Sequence, residues 1–429
     1  MTRATLDRFR QAGFLGWPNR FSPSSREILA AAGLIVAATA VGRIAWSGEV
    51  LALPAAILFP MLWAFAPTRL VSALVSMAYF LAASRDLPQG ASTYLEINKA
   101  LSVALWLAAS ASFVLLHTVL WTSKPRLHRA LRYGLAALAM SVPPFGITGW
   151  ASPITAAGVL FPGWGWFGLV VTTVGLIVMT TQFRLIASLI FLCAWTWSAA
   201  SWTPPSAPDG WIGINTSFNN SDKAKTNGFE QQRAIIAMVR KAASEGYSVI
   251  VLPESAFGTW TPTTEHLWMK SLANTDAAVI GGAAVLEGAG YDNVVVEATS
   301  KGSKIIYRQR MPVPGAMWRP WTVGGASAGF FKDPVMEING TRIAPLICYE
   351  QLIVWPLLQS MLPSPDVIVA ITNGWWTGGT KISSIQEVNV EAWAELFDVT
   401  LVMAINVLAD DLKSTSRTLP TSAFQTDRK

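Results

Sequence analysis

Ala344-Pro345-Leu346-Ile347-Cys348-Tyr349-Glu350 is a short apolar run that stops on a thiol, a phenol and a carboxylate. Two other stretches share this build. Val249-Ile250-Val251-Leu252 leads into Pro253-Glu254-Ser255, and Val367-Ile368-Val369-Ala370-Ile371 leads into Thr372-Asn373-Gly374-Trp375-Trp376. Apolar runs of this length, rich in β-branched residues, read as buried strands. In layered α/β folds, ligands bind at the carboxyl ends of such strands. A carboxylate at one strand end and a thiol at another are therefore a base and a nucleophile that can converge.

Around these three runs the texture alternates. Strands are expected at 211–216, 248–252, 277–284, 342–347, 367–371 and 401–407, with 293–298 and 304–308 as a pair. Helices are expected at 229–245 and 386–397. Alternating strands and helices with some hairpin pairing indicate an α/β layered domain over 211–411. The Pro-rich stretch at 203–210 reads as a stiff linker before it, and 412–429 as a polar tail.

The first half is a different material. The chain has 429 residues, of which 52% are apolar and only 14% charged, against a soluble norm of about 25% charged. The apolar excess lies before residue 203. Seven apolar runs, at 28–46, 50–66, 70–84, 98–121, 131–150, 157–180 and 185–202, most of them near the length needed to cross a bilayer, predict a transmembrane domain over 27–202. Residues 1–26 carry Arg3, Arg8, Arg10, Arg20 and Arg26 and read as a retained cytoplasmic tail. With that tail inside, the inner loops hold Arg69, then Lys124, Arg126, Arg129 and Arg132, then Arg184, while the outer loops hold only Arg85 and Lys99 as cations. This asymmetry follows the positive-inside rule and places the α/β domain on the far side of the membrane, periplasmic in a Gram-negative host. The Trp- and Gly-rich stretch Phe161–Trp166 reads as an interfacial anchor or as a wall of a lipid site. The net charge of +6 is scattered between apolar segments, with no basic stripe interleaved with aromatics, so nucleic acid is not an expected partner.

A thiol is mostly protonated at neutral pH and needs a neighbouring base or cation to become a nucleophile. The three His residues, at 117, 128 and 266, lie in or beside apolar spans or in a polar stretch far from Cys348, so a Cys–His arrangement has little support. A Glu base remains. Alone, Glu254 would read as a helix cap or surface acid, and Cys348 as a small buried hydrophobe; together at strand ends they point to catalysis. No metal-ligand spacing is present, and the chemistry requires neither metal nor other cofactor.

Pro253-Glu254-Ser255, Tyr291-Asp292-Asn293, Val313-Pro314, Ile347-Cys348-Tyr349-Glu350 and Thr372-Asn373-Gly374-Trp375-Trp376, in this order, resemble the motifs of the carbon–nitrogen hydrolase (nitrilase) superfamily. With a multi-span half before them, they are similar to its membrane branch, which holds apolipoprotein N-acyltransferases and conjugal-transfer proteins of bacterial plasmids. The resemblance implies an αββα sandwich and a Glu–Lys–Cys triad. Glu254 is then the general base and Cys348 the nucleophile, with acyl transfer or amide chemistry running through a Cys348 thioester. Gln309 stands at the family Lys position, between Arg308 and Arg310, and Met317 stands where the acyltransferases carry an acid. Tyr349, Glu350, Asn373, Trp375 and Arg310 are the candidate substrate contacts. The chain is thus expected to be a multi-pass inner-membrane protein of plasmid transfer. Its expected partners are membrane lipid and a lipoprotein or pilin-like protein of the conjugation apparatus. The alternative is a degenerate scaffold that binds such a partner without turnover.

Overall fold

The computed structural model describes residues 24–124, 127–218 and 228–408. The expected basic tail, apart from its last three residues, lies outside the described residues, as do Arg126 and the 412–429 tail.

The first half is helical: α1 (Ser25–Ala45), α2 (Phe59–Phe65), α3 (Arg69–Ala83), α4 (Leu87–Tyr94), α5 (Lys99–Leu120), α6 (Leu127–Ser141), α7 (Ala157–Leu160), α8 (Gly165–Val178) and α9 (Arg184–Ser201). Side chains start several of them. Ser24 and Glu27 form a capping box on α1, Thr68 accepts from the N–H of Val71 on α3, and Asn98 accepts from that of Leu101 on α5. By length and composition, α1, α5 and α9 are apolar enough to cross a membrane. The pair α3 and α4, bent by 56° at a short break, would make a fourth if it counts as one span.

Proline and glycine divide the apolar runs further than their hydropathy suggests. The expected 131–150 segment stops as a helix at Ser141, because Val142 precedes Pro143 and Pro144, and neither a pre-proline residue nor proline continues an α-helix readily. The 157–180 segment breaks between Leu160 and Gly165, where Pro162 and the left-handed Gly163 (φ 76°) turn the chain. The 50–66 segment begins as a 3-10 helix, Val50–Leu58, around Pro54.

The second half adds helices α10 (Gly228–Ser244), α11 (Pro262–Ser271), α12 (Val354–Met361) and α13 (Ile382–Phe397). Its strands are β1 (Trp211–Gly213), β2 (Val249–Val251), β3 (Ala278–Glu287), β4 (Gly290–Thr299), β5 (Gly302–Arg308), β6 (Met336–Ile338), β7 (Thr341–Ile347), β8 (Val367–Asn373) and β9 (Thr400–Asn406). They form two sheets, β1-β2-β3-β4-β5 and β6-β7-β8-β9. Strands β1 to β3 run parallel, β3-β4-β5 is an antiparallel meander, and β7 to β9 run parallel. The two-residue side-chain period builds the layers. Val249, Val251, Ile280 and Val295 meet Ile343, Ile347, Val367, Val369 and Ile371 of the other sheet. Their neighbours Ile250, Val279, Val294 and Val296 instead pack under α10 and α11 with Ile235, Val239 and Trp268. The result is the expected αββα order. Helices α11 and α12 and strand β6 are additions to the sequence expectation.

The outer face of the second sheet is covered by α12, α13 and the apolar helices together. Ala344, Leu346, Ile368, Ala370, Val390, Trp393 and Leu401 share one apolar cluster with Phe59, Trp63, Tyr79 and Phe161. The Phe161–Trp166 stretch contributes to this joint: Gly163 N–H donates to the Glu395 carbonyl (2.7 Å), and Trp166 meets Phe397 edge-on at 5.0 Å. Gly158 lies so close to Ala392 that a Cβ would overlap the Ala392 carbonyl. The Pro-rich linker is pinned too, since Leu401 N–H donates to the Ser206 carbonyl (3.0 Å).

Candidate active site

Cys348 is the first residue beyond β7. Its φ of 48° is a left-handed conformation rarely used by non-glycine residues, and it turns the chain from the strand into the short 3-10 helix Cys348–Leu352. Such strain costs on the order of 1–3 kcal/mol and concentrates at functional turns. From α13, Gln386 Nε2 donates to the Cys348 carbonyl (3.0 Å) and lies 3.8 Å from Sγ.

Glu254 stands just beyond β2, followed by Ser255 with φ 63°. Gly282 of β3 packs directly on this turn: its N–H donates to the Pro253 carbonyl (3.2 Å), and a Cβ there would come within 2.6 Å of Glu254 Cα. The carboxylate is buried. Oε1 accepts from Asn293 Nδ2 (2.7 Å) and Oε2 accepts from the Asn373 N–H (3.0 Å). The two strand ends do converge.

Gln309 completes the floor. Its N–H donates to the Asn293 carbonyl (2.8 Å), its Oε1 accepts from Asn293 Nδ2 (3.1 Å), and its Nε2 donates to the Ile347 carbonyl (3.1 Å). Asn293 therefore bridges Glu254 and Gln309, and Gln309 ties the first sheet to the residue before Cys348. Asn373 is set by Asn406, whose Nδ2 donates to Asn373 Oδ1 (2.8 Å). Among the described residues, no cation forms an ion pair with Glu254. Burial pushes the Glu254 carboxyl up, partly offset by the bonds from Asn293 and Asn373. Burial, and then the charge of Glu254, push the Cys348 thiol well above its ordinary range.

Three expected substrate contacts lie elsewhere. Arg310 and Glu350 are fully buried and saturated by protein. Arg310 donates to Tyr307 Oη (2.8 Å), Gln359 Oε1 (3.1 Å), the Pro356 carbonyl (3.2 Å) and Ser360 Oγ (2.8 Å). Glu350 accepts from the N–H groups of Ile347 (2.9 Å), Arg310 (2.7 Å) and Met311 (3.1 Å) and from Tyr307 Oη (2.9 Å). They form a buried bracket behind the Cys348 turn. Tyr349 Oη donates to the Ile147 carbonyl (2.9 Å), so it is a strut to the helical half. Arg308 pairs with Glu287 and Asp292, away from Glu254. Trp375 is half-buried in the loop after β8.

Several site residues were not singled out from the sequence. Asn293 sits within a recognised motif, but its bridging role needs the β3-β4-β5 register. Gln386 begins an expected helix and carries no motif. Helix α4 reaches the site from the other half of the chain. Gln89 Nε2 donates to the Gly378 carbonyl (3.0 Å), Asp86 accepts from the Lys381 N–H (2.9 Å), and a Cβ at Gly90 would come within 2.6 Å of the Trp376 ring. The one available signal was Leu87-Pro88, a helix-start pattern after Asp86.

The sequence profile of carbon–nitrogen hydrolases matches residues 81–395. The chain is 51% identical to the probable conjugal transfer protein TraB of Sinorhizobium fredii, over 87% of this chain and 97% of that protein. It is 48% identical to the conjugal transfer protein TraB of Agrobacterium fabrum, over 95% of this chain and all of that one. A solved amidase of the nitrilase superfamily from Nesterenkonia matches with 13% identity and a TM-score of 0.35, over 47% of this chain and 78% of that one. A buried Glu–Cys pair at two strand ends of an αββα sandwich, and a profile match over well over half of its length, make the chain a member of the carbon–nitrogen hydrolase family.

Proposed function

We propose that this chain is a membrane-anchored carbon–nitrogen hydrolase-type acyltransferase or amidase serving plasmid conjugal transfer. The observation that carries the proposal is the burial of Glu254 and Cys348 at two strand ends joined through Asn293 and Gln309, with no cation paired to Glu254 among the described residues. On arrival of an acyl compound, the thiol proton passes to Glu254 and the thiolate attacks the acyl carbon. The backbone N–H of Tyr349, the residue after Cys348, is the donor proposed for the developing oxyanion. Collapse breaks the bond to the leaving amine or alcohol, which takes the proton from Glu254 and leaves a Cys348 thioester. An amine or water then attacks, giving its proton to Glu254, which passes it to the departing Cys348 thiolate and so restores the starting pair.

The helical half supports a membrane setting. Helices α1, α5 and α9 have the length and composition of spans, and Leu29, Leu115, Leu185 and Trp197 are each more than half exposed on their outer faces. A water-facing surface of this kind would be costly. The loop charges favour an inner-membrane protein with a cytoplasmic N-terminus and a periplasmic sandwich, which reporter fusions at Ser206 would read directly. A small apolar cleft lies at the joint between Trp46, Trp150, Leu352, Ile382 and Ile385. Ile382 and Ile385 precede Gln386, the residue on Cys348, so apolar surface continues from the joint towards the thiol, and the acyl donor proposed here is a membrane lipid. The acceptor is then a lipoprotein or pilin-like protein of the transfer apparatus.

A second reading is favoured by Gln309. With its amide committed to Ile347 and no Lys in place, the pocket suits a scaffold that binds a lipidated partner without turnover. Conjugal-transfer complementation separates the two. Loss of transfer in Cys348→Ser and Cys348→Ala, with normal protein levels, is the expected result; full transfer in both removes the catalytic reading.

A further inference from the structure

The end of the helical half that points away from the sandwich carries charge that the reaction above does not use. Helix α3 sets the direction. Arg69 is its first residue, and Asp86, just past its other end, accepts from the Lys381 N–H of the sandwich. About 22 Å of helix separates the two ends, at roughly 1.5 Å per residue.

Three guanidiniums are held together at the far end. Arg129 Nη1 donates to the Ala64 carbonyl (2.9 Å), and the Arg184 guanidinium lies 4.3 Å from the ring centre of the next residue, Phe65. Arg129 Nη2 donates to the Ser123 carbonyl (3.4 Å), and Arg69 Nη2 to the carbonyl of Trp121 (3.3 Å). Ala64 and Phe65 end α2, and Trp121 follows α5, so the anchors are helix-end carbonyls. A carbonyl positions a cation but has no net charge to cancel it. Among the described residues none of the three arginines has a carboxylate at ion-pair distance. Of the four acids in residues 24–202, Glu49, Asp86 and Glu96 belong to loops at the sandwich end, and Glu27 accepts from the Ser24 N–H at the start of α1.

Two further observations call for an anion. Arg69, Arg129 and Arg184 stand in the first turns of α3, α6 and α9, and none of these turns holds an acid. A cation at a helix start opposes the helix dipole, whereas an anion there is favoured. Arg129 Nε and Trp121 Nε1 are also buried N–H donors with no acceptor among the described residues. Guanidinium planes bind phosphate oxygens through paired hydrogen bonds.

We infer that Arg69, Arg129 and Arg184 form a phosphate-binding site at this end. In the membrane setting proposed above, the site lies at the cytoplasmic leaflet, where anionic phospholipids supply the phosphate. Lipid as the source rests on that setting; the phosphate chemistry does not. The site is remote from Cys348 and independent of its reaction.

The full-length chain, carrying Cys348→Ala so that no lipid is consumed, is purified in neutral detergent. It is titrated with phosphatidylglycerol or phosphatidylcholine and read by native mass spectrometry. Phosphatidylglycerol is expected to bind at least about tenfold more tightly, because phosphatidylcholine brings an ammonium against three cations. Arg129→Gln and Arg184→Gln should each weaken phosphatidylglycerol about tenfold. Arg132→Gln, an exposed cation one turn along α6, should change it by less than about twofold. Equal weakening by Arg132→Gln, or no preference for phosphatidylglycerol, overturns the site. Arg129→Lys and Arg184→Lys keep the charge and serve where a Gln variant does not fold. Each should weaken binding about threefold through loss of the paired bonds, and unchanged binding in both overturns the site. Displacement of the lipid by millimolar inorganic phosphate assigns a soluble phosphate, and persistence a lipid-borne one. Carbonate extraction of cell membranes tests the setting separately: a chain that washes off yet prefers phosphatidylglycerol keeps the site and loses the leaflet.

Discussion

Two buried carboxylates stand at strand ends of this sandwich, and they are held in opposite ways. Glu350 is ringed by the Arg310 guanidinium, a phenol and three backbone N–H groups. Glu254 has one carboxamide and one backbone N–H. Burial pushes both upward; for Glu350 the Arg310 charge is the largest opposing influence, while for Glu254 only neutral donors oppose it. The difference separates a pin from a working group. A charge that is balanced and saturated fixes geometry, whereas one that is under-compensated beside a proton donor can change protonation at low cost.

The comparison breaks most violently on the Glu350 side. Arg310→Met leaves a buried carboxylate uncompensated and is expected to cost about 3–5 kcal/mol in denaturant unfolding of the detergent-solubilised protein. A loss below about 1 kcal/mol would mean that the bracket is not structural. On the other side, Glu254→Gln should leave stability within about 1 kcal/mol yet slow Cys348 acylation at least about 100-fold. The same variant removes the negative charge that holds the thiol up. The pH profile of Cys348 alkylation, which in the native chain should rise above the ordinary thiol range near about 8.5, should shift to lower pH. A profile that stays put would dissolve the proposed coupling.

Gln309→Lys sharpens the contrast by giving Glu254 a cation like that of Glu350. It should lower the Glu254 protonation range and raise thioester formation about 100-fold, the usual worth of one oxyanion donor. No gain would show that the donors in place already suffice or that no acyl chemistry occurs, and Cys348→Ser distinguishes these. The smallest effect belongs to Tyr349→Phe, which removes the bond to Ile147 and should cost about 1 kcal/mol of stability with acylation unchanged.

Much of the sandwich was visible in the sequence because β-branched runs end sharply on Glu254, Cys348 and Asn373, and strand ends are where such sheets place chemistry. Side-chain destinations were less visible. Arg310 and Glu350 looked like ligands because a charged residue beside a nucleophile has no mark of burial; only the contacts of Tyr307, Gln359 and Ser360 show that they belong to the core. Helix α4 was invisible as a site element, since Gln89 and Gly90 carry no motif and act across nearly 300 residues of chain. Hydropathy marked where the apolar helices lie but overran their ends at Pro143-Pro144 and Pro162-Gly163, where backbone geometry outranks composition.

Intact mass spectrometry of the membrane-purified protein, with hydroxylamine treatment and a Cys348→Ser control, tests the thioester most directly. The expected result is an acyl adduct on Cys348 that hydroxylamine removes and the control lacks. A clean thiol after incubation with phospholipid would contradict lipid acyl transfer and leave a family scaffold that binds its partner without reacting.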